Sequence, residues 1–304
     1  MHSMKHHKIS GLNTIKKDFK TPFVQEASLI IGVSVGSKKH DGEALAALVE
    51  AINRLHKSVR ITNCTIAVCD SLQRHNYRID GKTDEEKALS MSKKAGAEWI
   101  EANIETLKHL NVDYTIVRWD TWLKDEKRYR EAFLEISNLL AQDYAFQKTM
   151  DNSIQVFSSR FNKRYQELGI SAPINDDVLQ KSCRDYLLEE CAIIMKMWPL
   201  YKQEHSQYIL YPEKMTEALE YVYKQVVSQK NLFKWVNFRF KKIMQLKGDV
   251  LPLPDSEPKE YFSSSGQPEE GKSSYGFFTK ADSMNSPVPL EDSIVSDQTI
   301  FKHT

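Results

Sequence analysis

The sequence predicts a Rossmann-like α/β fold built on a doubly wound, mostly parallel sheet. Three observations predict it. Strand and helix signals alternate from residue 29 to residue 243. The early strand segments are continuous apolar runs, as expected of strands covered on both faces. Polar residues gather just past the strand ends, where open α/β sheets bind their ligands.

Leu29–Val35 reads as the first buried strand. Asp41 is placed to N-cap a helix whose Leu45, Leu48, Val49, Ile52 and Leu55 share one face. Thr62–Asp70 is a second strand, running into the polar loop "SLQRHNYR". Thr83 and Glu86 have capping-box spacing and open a long helix to Leu110. Val112–Asp120 is a third strand. Residues 125–168 read as helical with a break near Asp151-Asn152, and Asp176–Gln203 as a long helix kinked at Pro199. Gln207–Pro212 is a short strand, Glu213–Gln229 a helix, and 232–243 ("LFKWVNFRFKKI") a last strand of period two. Ser34, Asp70 and Asp120 all fall at strand ends and are expected to share one crevice.

Composition sets the outer bounds. The chain has 304 residues and a net charge of +1. Residues 249–304 carry ten acidic and four basic residues, leaving +7 on the remainder, a mildly basic body suited to a polyanion. Six of ten prolines follow residue 250, so 249–304 is expected to be a disordered acidic Pro/Ser-rich tail. Residues 1–25 are expected to be a flexible segment and 26–248 the catalytic domain. No apolar run approaches the roughly 20 residues of a membrane span. The basic N-terminus lacks an apolar signal core, so a cytoplasmic protein is expected. Cys64, Cys69, Cys183 and Cys191 contain no Cys-x-x-Cys pair and are expected to be reduced thiols.

Gly32-Val33-Ser34-Val35-Gly36 matches the nucleophile-elbow pattern of serine hydrolases. Here, though, it ends the first strand, and "SKKHDG" intervenes before the helix. None of His40, His56, His75, His109, His205 or His303 lies in a late catalytic loop, so no histidine base for Ser34 is expected. A serine simply seated in a glycine turn is the competing reading. A second constellation is Tyr186 and Glu190, spaced i, i+4, which stacks phenol and carboxylate on one helix face. Cys183, Ile193, Ile194 and Met197 continue that face inward. A carboxylate there needs a cation or donors, either a ligand's or those of an internal salt bridge.

Together with Tyr211-Pro212 and the segment Asp70–Arg78, these motifs resemble those of the tRNA-dependent cyclodipeptide synthases, over about Leu29 to Phe240. Ser37, Tyr211 and Pro212 resemble the subgroup with Tyr-Pro at the downstream motif. The sequence departs from the family in having Cys191-Ala192 after the glutamate, where an apolar-Pro step is usual. The resemblance implies a domain similar to the catalytic domains of tyrosyl- and tryptophanyl-tRNA synthetases, with no ATP, metal or other cofactor. The sequence has no phosphate loop, and "LSMSKKAG" (89–96) has no His-Ile-Gly-His partner.

The resemblance further implies that Ser34 takes an aminoacyl group from one aminoacyl-tRNA. A second aminoacyl-tRNA converts this to a dipeptidyl-enzyme, and cyclisation releases a 2,5-diketopiperazine. Tyr186 and Glu190 would bind the substrate ammonium, and Tyr211 would relay a proton. Ile30, Gly32, Gly36, Ser37 and Pro212 would line the substrate site, with backbone N–H groups around Gly32–Gly36 steadying the oxyanion. Candidate tRNA contacts are Lys93, Lys94, Arg160, Lys163, Arg164, Lys234 and Lys241 on a monomer. A serine esterase or acyltransferase, and an inert RNA-binding module, remain the other classes.

Overall fold

The computed structural model describes residues 7–19, 26–79, 81–167, 176–198, 206–227, 233–246, 249–252 and 298–301. In chain order the elements are β1 (His7–Ser10), α1 (Asn13–Asp18), β2 (Ala27–Val33), α2 (Gly42–His56), β3 (Ile61–Val68), α3 (Arg74–Tyr77), α4 (Glu85–Leu107) and β4 (Tyr114–Arg118). There follow α5 (Asp120–Lys124), α6 (Glu126–Gln142), α7 (Tyr144–Glu167), α8 (Asp176–Ala192), β5 (Ser206–Tyr211), α9 (Glu217–Val222), β6 (Lys234–Asn237), β7 (Arg239–Leu246), β8 (Asp249–Pro252) and β9 (Gln298–Phe301).

The main sheet runs β6-β5-β2-β3-β4-β9, with the first five strands parallel and β9 antiparallel at the edge. Numbered by their own succession, the parallel strands stand 5-4-1-2-3. That is the Rossmann order, with its reversal between β2 and β5. The expected Rossmann-like architecture is present. Chain direction divides there, so the loops after β2 and β5 turn opposite ways and leave a crevice between them.

Side-chain alternation along the strands separates two cores. Leu29, Ile31 and Val33 pack with α1, α2 and α4 through Ile15, Leu45, Leu48, Ile52 and Trp99. Ile30, one residue out of phase, belongs to the opposite core with Trp119 just before α5, Phe146 of α7, Leu187 of α8 and Ile193 just after it. Gly32 shares the phase of Ile30 and faces that second side. No helix among the described residues is long and apolar enough to cross a membrane.

Several boundaries differ from the sequence expectation, each for a local reason. Asp84, not Thr83, caps α4, its Oδ1 accepting the Lys87 N–H at 2.7 Å. The helical stretch 125–168 breaks at Asp143, whose Oδ1 accepts the Ala145 and Phe146 N–H groups at 2.9 and 3.1 Å, and not at Asp151-Asn152. Helix α8 ends at Ala192 and passes into a π turn over Ile193–Met197; the kink expected at Pro199 lies outside the described residues. Helix α9 starts only at Thr216, which caps it, and is followed by a second π turn over Tyr223–Val227.

The expected last strand is two. Phe238 hands the chain from β6 in the main sheet to β7 in an antiparallel sheet ordered β1-β7-β8. Within 1–25, the described residues 7–19 form β1 and α1; within 249–304, β8 and β9 are described and 253–297 lie outside the described residues.

Candidate active site

Ser34 follows the last residue of β2, half-buried at the mouth of the crevice. Its loop closes on itself: the Ser37 N–H donates to the Ser34 carbonyl at 3.1 Å and the His40 N–H to the Ser37 carbonyl at 2.9 Å. Gly36 takes φ +83°, a conformation open to glycine at little cost. Tyr211 stands at the end of β5, across the strand-order reversal. Its ring lies against Gly32, where an added Cβ would meet Tyr211 Cδ2 at 3.3 Å, so the absence of a side chain there admits the phenol. Ser34 and Tyr211 line one cavity, and the Ser34 side chain acts on the phenol to lower its pKa. Burial, and then the charges of Glu213 and Glu190, push the Tyr211 phenol well above its ordinary range, which leaves it a neutral donor.

The third wall is α8. Tyr186 and Glu190 lie one turn apart and both line the same cavity as Ser34 and Tyr211. Burial and the Glu190 charge likewise raise the Tyr186 phenol, against a hydrogen bond with Gln73. Gln73 is itself held by Asn76, whose Nδ2 donates to Gln73 Oε1 at 2.6 Å. Glu190 Oε2 is buried and has no hydrogen-bond partner among the described residues, and burial pushes this carboxyl up to about 8. A carboxyl buried without a partner at the edge of a cavity is poised for a cation. The cavity measures about 850 Å³, and Trp198, Ile194, Phe157 and Trp235 supply apolar wall. Across its mouth Lys39 Nζ and Glu213 Oε1 are 2.7 Å apart, joining the loops that follow β2 and β5.

Sequence reasoning missed two features. The first is Glu189, the neighbour of Glu190, which is 1% exposed. Its carboxylate accepts from Arg74 Nη1 at 2.8 Å, Trp119 Nε1 at 2.8 Å and Tyr129 Oη at 3.3 Å, with His75 Nε2 at 3.3 Å and a further bond from Arg74 Nη2. Burial alone would raise its pKa, but hydrogen bonds from His75 and Arg74, with the guanidinium charge, outweigh it and hold the group at about 2. The crowded segment after β3 signalled this demand for partners without saying which glutamate it served. The second is His40. No histidine base was expected for Ser34, and His40 instead meets its backbone: the Ser34 N–H donates to His40 Nδ1 at 3.0 Å. That amide is therefore engaged, and it drops out of the oxyanion donors expected around Gly32–Gly36.

The other candidates divide. Gly32, Gly36 and Ser37 line the cavity; Ile30 lies in the adjoining core, and Pro212 is buried beside Tyr211 in the chain. Asp70 and Asp120 do not join the crevice. Asp70 Oδ2 accepts from Arg118 Nε at 2.7 Å, and Asp120 Oδ2 lies 2.9 Å from Lys93 Nζ. Lys93 is thus paired, as is Lys234 with Asp18 at 2.9 Å, while Lys94 lies 4.0 Å from Glu98. Arg160 lines the cavity with its guanidinium 5.9 Å from the Phe157 ring centroid, and Lys163 is exposed further along the same helix. The side chains of Arg164 and Lys241 lie outside the described residues. The four cysteines are buried and unpaired, and no cluster among the described residues is built to hold a metal.

Comparison with solved structures places this geometry. Its structural neighbours are cyclodipeptide synthases. A cyclodipeptide synthase from Fluoribacter dumoffii is 28% identical with a TM-score of 0.66, over 78% of this chain and 98% of its own. The synthase from Candidatus Glomeribacter gigasporarum, solved bound to Phe-tRNAPhe, is 18% identical with a TM-score of 0.62, over 82% and 99%. One from Staphylococcus haemolyticus is 14% identical with a TM-score of 0.52, over 78% and 99%. The last two likenesses speak to the fold. The first, at higher identity and nearly full length, supports the cyclodipeptide synthase family for this chain. No protein-family model and no curated protein matches the sequence.

Proposed function

We propose that the protein is a tRNA-dependent cyclodipeptide synthase of the subgroup marked here by Ser37, Tyr211 and Pro212. The observation that carries this reading is the convergence, on one cavity, of a hydroxyl pair (Ser34 with Tyr211) and a neutral, unpartnered carboxyl (Glu190). An aminoacyl-tRNA supplies what that set lacks, an ester already activated and an ammonium to fill the carboxyl's site.

In the first step Ser34 Oγ bonds to the acyl carbon and the ester bond to the ribose breaks. The serine proton passes by way of the neutral Tyr211 phenol to the departing ribose oxygen, giving an aminoacyl-enzyme and free tRNA. Glu190 receives the ammonium. Glu190 gives up its own proton to solvent as the ammonium arrives. Because its pKa of about 8 lies close to that of an α-amino group, about 7.7–8.0, the carboxylate can then take a proton from the ammonium and free the amine for attack at little cost. The balance of atoms sets the direction of the second step. The amine of the Ser34-held residue must attack the ester of the second aminoacyl-tRNA, since the reverse attack would leave the dipeptide on tRNA and Ser34 empty. The dipeptidyl-enzyme then closes: its terminal amine attacks the Ser34 ester, the diketopiperazine leaves and the serine regains its proton. Ring closure is intramolecular, so orientation within the cavity supplies much of its rate.

Intact-protein mass spectrometry after mixing with charged tRNA tests this reading. An aminoacyl adduct on Ser34, lost in Ser34→Ala, is expected, with diketopiperazine accumulating under turnover. Turnover of simple esters without tRNA would instead make the protein an esterase, and tRNA binding without any adduct would make it an inert module.

A further inference from the structure

We propose that His40 is a positioning residue for the nucleophile, a neutral imidazole that holds the Ser34 backbone through Nδ1 and sets the approach of Tyr211 through its ring. The proposal rests on Ser34 being the acyl acceptor. Strand β2 ends at Val33, so the next amide has left the regular parallel ladder, and a half-buried N–H must find another acceptor. His40 Nδ1 provides one at 3.0 Å, six residues on.

The imidazole is itself fixed from three directions. Its backbone N–H closes the loop onto Ser37, its carbonyl accepts from Trp99 Nε1 of α4 at 2.9 Å, and its ring lies 5.4 Å from the Tyr211 ring at a 44° tilt. One side chain thus touches the backbone of the first hydroxyl bearer and the ring of the second. With 2% exposure it has little room to move.

Accepting at Nδ1 requires the ring proton on Nε2, which is buried without a partner among the described residues. Burial holds the pKa at about 4, against the raising effects of the Ser34 carbonyl oxygen, 3.4 Å from Nδ1, and of the Glu213 charge, so the ring stays uncharged. With Nδ1 accepting from the Ser34 amide, His40 is no base for the serine hydroxyl. Its work is geometric: it orients Ser34 Oγ toward Tyr211 and takes the Ser34 amide out of oxyanion binding.

Paired substitutions test this. Asn places an acceptor oxygen near the position of Nδ1, and Leu has similar bulk with no acceptor. His40→Leu is expected to slow single-turnover acylation of Ser34 by roughly ten- to a hundredfold, with affinity for charged tRNA unchanged. His40→Asn is expected to restore most of the rate. Equal acylation by the two variants would overturn the proposal.

An independent arm uses the free protein. Nitrogen-15 NMR of histidine-labelled protein is expected to show the His40 proton on Nε2 and a hydrogen-bonded Nδ1. A proton on Nδ1 would overturn the proposal whatever the substrate is. Absence of a wild-type adduct alongside the expected spectrum would instead count against the proposed reaction and leave the loop geometry supported.

Discussion

Glu189 and Glu190 are adjacent, yet they are held in opposite protonation states. The first is saturated with donors and kept near 2; the second is buried without any and raised to about 8. The linkage signs follow. For Glu190 the folded value lies above the unfolded one, so the folded chain binds the extra proton. Its contribution to stability is present below about pH 4.5 and is lost as pH rises toward 8. Glu190→Gln is therefore expected to melt higher than the wild type near about pH 8.5, with the gap closing by about pH 5, while acylation of Ser34 falls sharply. Equal melting temperatures across that range would mean the carboxyl is solvated or paired. Glu189 behaves inversely: its contribution is present above about pH 4.5 and disappears as pH falls toward 2. Removing one partner of such a buried cluster costs about 3–5 kcal/mol. Glu189→Ala should thus lower the denaturant midpoint by that equivalent with an unchanged slope.

At the scale of elements, legibility followed periodicity. Strands β2 to β5 were readable because buried parallel strands are apolar throughout, and Tyr186 and Glu190 were placed on one inward face by i, i+4 spacing alone. What spacing could not give was the partner of each group. His40 reaches Ser34 through the turn of its own loop, and Arg74 reaches Glu189 only through tertiary packing across 115 residues. The π turn after α8 also has no sequence signal of its own; Met197 and Trp198 at its end are buried, and the Trp198 ring packs at a 45° tilt, 5.3 Å from that of Trp122, and lines the cavity. Trp198→Ala is expected to open that wall. It should raise KM for charged tRNA bearing large side chains more than it lowers kcat, as single-substrate kinetics would report.

For the molecule as a whole, five parallel strands in Rossmann order fix where the crevice lies, and the loops after β2 and β5 supply what fills it. The handover at Phe238 was hidden in the sequence because the alternation Val236-Asn237-Phe238-Arg239-Phe240 runs straight across it, while pairing assigns β6 and β7 to different sheets. Strand β1 pairs with β7 from His7↔Lys242 to Ser10↔Arg239. Gly11, at φ +108°, sits so close to the junction that a Cβ would fall 2.3 Å from the Asn237 carbonyl oxygen. Gly11→Ala is accordingly expected to destabilise the fold, read as a lower melting temperature.

That seam has a practical corollary. Residues 7–11 brace the ribbon that continues into Trp235, a panel of the reaction chamber. A shortened expression clone, or an affinity handle fused tightly against His7, would be felt as a draught through the far wall, well away from the serine, before any chemistry was touched.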